Sequence, residues 1–133
     1  MPPDFGVIGL GNPLAGDDGV GCWIVEQLSH EFPHRWIHDL GTDLLRIQTY
    51  TPYPSHLVFL DAIRTQQAPS GTLHQPDENQ ILRSPTHADA HNLGIAGNLE
   101  LLMRTDDAFR QTQRSWWLIE AAQLELPFTL SIT

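Results

Sequence analysis

The sequence predicts an α/β fold: three layers, with a largely parallel, twisted sheet and helices on both faces. Two patterns point to it. Short segments at residues 5–10, 56–61 and 115–119, each built around a continuous apolar run, have the length and composition of strands buried on both sides. Segments with apolar residues at helical spacing alternate with these runs, and right-handed crossovers between parallel strands then place helices on the two faces.

Element by element, Phe5-Gly6-Val7-Ile8-Gly9-Leu10 is the first strand, ended by Gly11-Asn12-Pro13. Val20, Ile24 and Leu28 recur at helical spacing, so a helix is expected over roughly 18–32, stopped by Phe32-Pro33. Residues 35–40 form a second strand ended by Gly41, and Thr42 is placed to cap a short helix carrying Leu44, Leu45 and Ile47, which Pro52 and Pro54 end. The next strand, 56–61, closes on Asp61, placing that carboxylate at the strand's C-terminal edge. From Arg64 to Ala90 the chain is polar and rich in Pro, Gly and Gln, with one short strand at 72–74; a connection of that length suggests a functional loop. A helix over 92–103 and a strand over 115–119 complete the series, with Trp116 and Trp117 on opposite sides of the strand.

At 133 residues the chain makes one domain. Sixteen acidic against seven basic residues give a formal charge of −9, which repels polyanions and argues against a nucleic-acid partner. No signal peptide or membrane span is legible, so a cytoplasmic protein with no membrane partner is expected. The single cysteine, Cys22, excludes an internal disulfide and a thiolate-rich metal site, leaving nitrogen and oxygen ligands for any metal.

The run Gly9-Leu10-Gly11-Asn12-Pro13-Leu14-Ala15-Gly16-Asp17-Asp18-Gly19-Val20-Gly21 joins a glycine-rich turn to two carboxylates at the start of a helix. A phosphate-cradling loop leaves its helix N-terminus open to anions, whereas two Asp there invite a cation or a proton donor. One of Asp17 and Asp18 suffices to cap the helix, which leaves the other as a ligand candidate. Ligands of open parallel sheets gather outside the C-terminal strand ends, where Asp61 and the start of the helix near residue 91 also belong. Asp61 serves there as a functional carboxylate or, more blandly, caps the following loop with Arg64 as its charge partner. His87 and His91 both precede or open that helix. Two carboxylates and one imidazole suit nickel, zinc or another borderline divalent ion with positions left open for substrate. Cys22 reads as a buried thiol within the first helix, and no Gly-x-Ser-x-Gly elbow is present.

Together, the loop 9–21, Phe59-Leu60-Asp61-Ala62 and His91-Asn92-Leu93-Gly94 resemble the hydrogenase maturation endopeptidases, over a span from the start of the chain to about residue 102. Gly41-Thr42 matches a further Gly-Thr step of that family. The resemblance implies an endopeptidase that clips the C-terminal extension from a nickel-loaded large-subunit precursor of a nickel–iron hydrogenase. By it, Asp18, Asp61 and His91 correspond to the metal-contacting and catalytic residues, and Asp17 is left for the cap. No permanent cofactor is implied, since the substrate supplies the nickel, though other divalent ions can occupy the same ligands. The family carries a further helix about where this chain ends, so residues 1–133 are expected to form its domain without that helix, uncovering one flank of the sheet. A binding module or chaperone that recognises the nickel-loaded subunit without cleaving it is the alternative. Peptidyl-tRNA hydrolases share the Gly-Leu-Gly-Asn-Pro opening, but Asp17-Asp18-Gly19 and the acidic charge count against them.

Overall fold

A computed structural model describes residues 4–11, 19–83 and 90–121, with residues 90–93 described by their backbone alone. Among the described residues five strands form one sheet in the order β2-β1-β3-β5-β4. They are β1 (Phe5–Leu10), β2 (Ile37–Gly41), β3 (His56–Ile63), β4 (Leu73–His74) and β5 (Gln113–Glu120). β1 pairs in parallel with β2 and β3, and β3 in parallel with β5 along eight residues, from His56 opposite Gln113 to Ile63 opposite Glu120. Only β4, at the edge, is antiparallel. The helices are α1 (Val20–Glu31), α2 (Glu78–Leu82), α3 (Ala90–Thr105) and α4 (Asp107–Arg110), with a 3-10 helix over Leu44–Tyr50.

The apolar runs are continuous because successive side chains serve two cores. On one face Ile8, Leu10, Leu57, Phe59 and Trp116 pack against Ile95, Leu99 and Leu102 of α3, Leu44 and Ile47 of the 3-10 helix, and Phe109 of α4. Phe59 and Trp116 stack with centroids 4.3 Å apart, a pairing worth about 1 kcal/mol beyond its burial. On the other face Val7, Val58 and Leu60 meet Val25, Ile24 and Leu28 of α1. The expected three-layer α/β architecture is therefore present.

Helix α1 lies unusually close to the sheet. A Cβ on Gly21 would sit 2.3 Å from the Leu60 carbonyl oxygen and 2.6 Å from that of Leu10, and one on Gly9 would sit 2.6 Å from the Gly21 oxygen. Two glycines of the glycine-rich run thus serve helix-on-strand packing, because only hydrogen fits between the two backbones. α1 covers only part of its face. Among the described residues Phe5, Leu28, Leu73, Trp117 and Ile119 border an open apolar groove of about 460 Å³. Trp116 is core and Trp117 is 38 % exposed along this groove, as strand alternation predicts for neighbours on opposite sides.

Four local expectations change. β3 does not stop at Asp61 but runs to Ile63, since Asp61, Ala62 and Ile63 go on pairing with Leu118, Ile119 and Glu120. Asp43, the residue immediately before the 3-10 helix, caps it by accepting from Leu45 N–H at 3.1 Å, in place of Thr42. The N-cap of α1 is Gly19 rather than either aspartate of the loop. The polar 64–90 segment contains α2, whose Asp77 and Gln80 form a reciprocal capping box; an Asp-x-x-Gln signal was legible in the sequence, but five residues are too few to show helical periodicity.

Candidate functional site

In this strand order, β1 connects to β2 on one side, and the chain then returns to β3 on the other. The topological switch point lies between β1 and β3, and the crevice outside their carboxyl ends is where such sheets bind ligands. Gly11, just past β1, adopts φ 137° and donates its N–H to Gly41 O at 2.8 Å. Gly41 at the end of β2 adopts φ 61° and donates its N–H to Asp39 Oδ1 at 2.9 Å. Both backbone conformations favour glycine, and together they tie the ends of β1 and β2 into one rim.

Asp61 reaches this rim from β3. It is only 3 % exposed, and its Oδ1 accepts the Ala62 N–H at 2.7 Å. Standing two residues beyond Phe59, it faces the α3 layer by strand alternation. Among the described residues the buried Nε of Arg64 has no hydrogen-bond acceptor. Of the other expected site residues, His91 is the second residue of α3, its side chain lying outside the described residues, as do Asp17, Asp18 and His87 altogether. Among the described residues no group of three or more His, Cys, Asp or Glu is placed to hold a metal.

Sequence reasoning left Asp39 as an ordinary strand residue, yet it is a second carboxylate on the rim. Its signal was its position, directly before Leu40-Gly41-Thr42 at a strand end. Asp39 and Asp61 both act on Cys22, whose thiol donates to Gly11 O at 3.4 Å. Burial pushes the Cys22 thiol well above its usual range, and the hydrogen bond and charge of Asp39 and the charge of Asp61 push it further. The rim is therefore rich in negative charge and holds its one cysteine as an unreactive thiol.

The loop that follows β3 is pinned from β5. Glu120 is 2 % exposed and accepts from Thr65 N–H at 2.8 Å, from Thr65 Oγ1 at 2.5 Å, from Gln66 N–H at 3.3 Å and from His74 Nε2 at 2.9 Å. Burial raises its pKa, but these donors more than offset that, and the carboxylate is held below its ordinary range. Among the described residues no helix is long and apolar enough to cross a membrane.

No protein-family profile matches the chain, and no curated protein does. Solved structures do. An endopeptidase from Escherichia coli is 26 % identical, with a TM-score of 0.73 over 98 % of this chain and 81 % of that one. The hydrogenase maturating endopeptidase HybD from E. coli is 25 % identical, with a TM-score of 0.69 over 99 % and 83 %. A nickel–iron hydrogenase maturation protease HybD from Thermococcus kodakarensis shares the fold at a TM-score of 0.76, 24 % identical over 97 % and 87 %.

Proposed function

The chain belongs to the hydrogenase maturation protease family, and from that premise we propose that it is an endopeptidase acting on a nickel-loaded hydrogenase large-subunit precursor, from which it removes the C-terminal extension. In this reading Asp18, Asp61 and His91 contact the nickel that the substrate brings, so the protease needs no permanent cofactor of its own. Another divalent ion can take the same ligands in its absence. Cleavage and precursor meet in the cytoplasm, and the acidic chain avoids nucleic acid.

The observation that carries this reading is Asp61: a buried carboxylate at the switch-point crevice, facing the layer whose helix α3 has His91 in its first turn. α1 begins at Val20, so Asp18 lies two residues before a helix packed against β1 and β3. Carboxylate and imidazole are hard and borderline donors that suit nickel. Hydrolysis needs water to add to the scissile carbonyl carbon and a proton to reach the departing amine; in this reading a carboxylate of the rim accepts the first proton and returns it. Cys22 is excluded as the nucleophile because its raised pKa keeps it protonated at neutral pH.

The test is the conversion of a nickel-loaded precursor to its shorter product on a denaturing gel. The wild-type chain should produce the shift, and Asp18→Ala, Asp61→Ala and His91→Ala should each abolish it while retaining the wild-type circular dichroism spectrum. Full activity in all three variants refutes the site, and binding of precursor by the wild type without cleavage makes the protein a binding module.

A further inference from the structure

The proposed chemistry leaves Glu120 without a part, yet every polar group of this residue engages one segment. It ends β5 opposite Ile63, two residues along from the pair formed by Asp61 and Leu118. Its N–H donates to Thr72 O and its C=O accepts from Gly71 N–H, both at 2.8 Å. Its carboxylate takes the N–H and hydroxyl of Thr65, the N–H of Gln66 and Nε2 of His74. One residue thus holds both ends of the loop 64–72, which leaves β3 just beyond Asp61 and passes over the carboxyl end of β5 to reach β4.

Within the loop Gln67 N–H donates to Thr65 Oγ1 at 3.1 Å, and the N–H and hydroxyl of Thr72 donate to Pro69 O at 3.1 and 2.7 Å, while Glu120 ties the two ends together. Gln66 adopts φ 60°, a left-handed conformation that a residue with a Cβ takes up at a cost, and Gly71 adopts φ 91°. The Gln66 strain is retained where its N–H meets the carboxylate. The short β4 has two residues paired to β5 and is itself tied down through His74, so it adds little independent anchorage.

We propose that Glu120 is a positioning residue for peptide-bond hydrolysis, clasping the 64–72 loop as the wall, on the β3 side of the crevice, against which the extended polypeptide substrate docks beside Asp61. This rests on the endopeptidase reading. Asp61 itself is fixed by strand pairing with Leu118, so releasing the loop changes how the polypeptide is held and leaves the reacting groups in place.

The experiment compares the full-length chain with Glu120→Gln, which keeps the shape and removes the charge, and with Thr65→Val, which removes a hydroxyl from a partly exposed position and keeps the buried carboxylate. Both should raise KM for the precursor by at least about fivefold, the scale of one lost hydrogen bond in docking, with kcat within about twofold. Amide exchange at Thr65, Gln66 and Gly71 should quicken by at least about tenfold while exchange in β1 stays slow. An unchanged KM in a folded Thr65→Val variant, a fall in kcat alone, or unchanged exchange at those three amides overturns the proposal. Should the wild-type chain bind the precursor without cleaving it, the endopeptidase reading fails separately; the dissociation constant then replaces KM, and its invariance refutes the clasp.

Discussion

Replacing Gly21 by alanine should destabilise the protein even though alanine is the better helix former. The new Cβ would meet the Leu60 and Leu10 carbonyl oxygens at 2.3 and 2.6 Å, where ordinary contact begins at 3.4 Å, so α1 has to move out by about 1 Å. Both atoms are backbone in paired strands and cannot rotate away, which puts the overpacking cost near the upper end of its usual range, about 3 kcal/mol. Helix propensity returns about 1 kcal/mol, leaving a net loss of about 2 kcal/mol. For a chain of this length that lowers Tm by about 8 °C. Gly97→Ala in α3 is the matched control: among the described residues nothing lies within 4 Å of its Cβ, so the same exchange should stabilise by about 0.8–1 kcal/mol. Thermal and urea denaturation followed by circular dichroism measure both. A Gly21→Ala protein as stable as wild type would refute the close-packing account of α1.

Tyr53→Phe should cost about 1–1.5 kcal/mol in urea denaturation, since it removes the 2.7 Å hydrogen bond from Tyr53 Oη to Asp106 Oδ2 while keeping the edge-to-face contact with Phe109. Burial raises the Asp106 pKa, but the Phe109 N–H, the Tyr53 hydroxyl and the Gln48 amide outweigh it, so the folded value lies below the unfolded one. Asp106 and Glu120 therefore contribute stability that is present above the ordinary carboxylate pKa and lost as pH falls through their depressed folded values. Acid titration of Tm should show a steeper decline in wild type than in Tyr53→Phe. Cys22 should resist alkylation by iodoacetamide at pH 8 until denaturant is added, because it is 4 % exposed and its pKa is raised; rapid labelling of the native protein would contradict that burial.

Much of the fold was legible because buried parallel strands announce themselves: 5–10 and 57–60 are apolar throughout, and both faces of the sheet need covering. Short elements escaped or blurred. α4 has four residues and α2 is marked only by its capping box, so neither carries enough residues to establish a period, whereas the short strand expected at 72–74 is present as β4. Of the candidate site, Asp61 was readable as a carboxylate ending an apolar run, but its burial depends on Leu118–Glu120 extending the ladder past it. Asp39 and Glu120 were not readable as site-rim residues, since their significance comes from neighbours 17 to 55 positions away.

By itself the sequence determined the α/β class, the strand that delivers Asp61, and the likeness to a protease family, because hydrophobic period and an ordered set of short motifs are local properties. Tertiary structure alone decided which glycines are packing contacts, why the same Gly-to-Ala change has opposite expected signs in α1 and α3, and how Glu120 governs a loop 50 residues earlier in the chain. Those depend on how closely two backbones approach and where a buried charge finds its donors, quantities set only when distant segments meet.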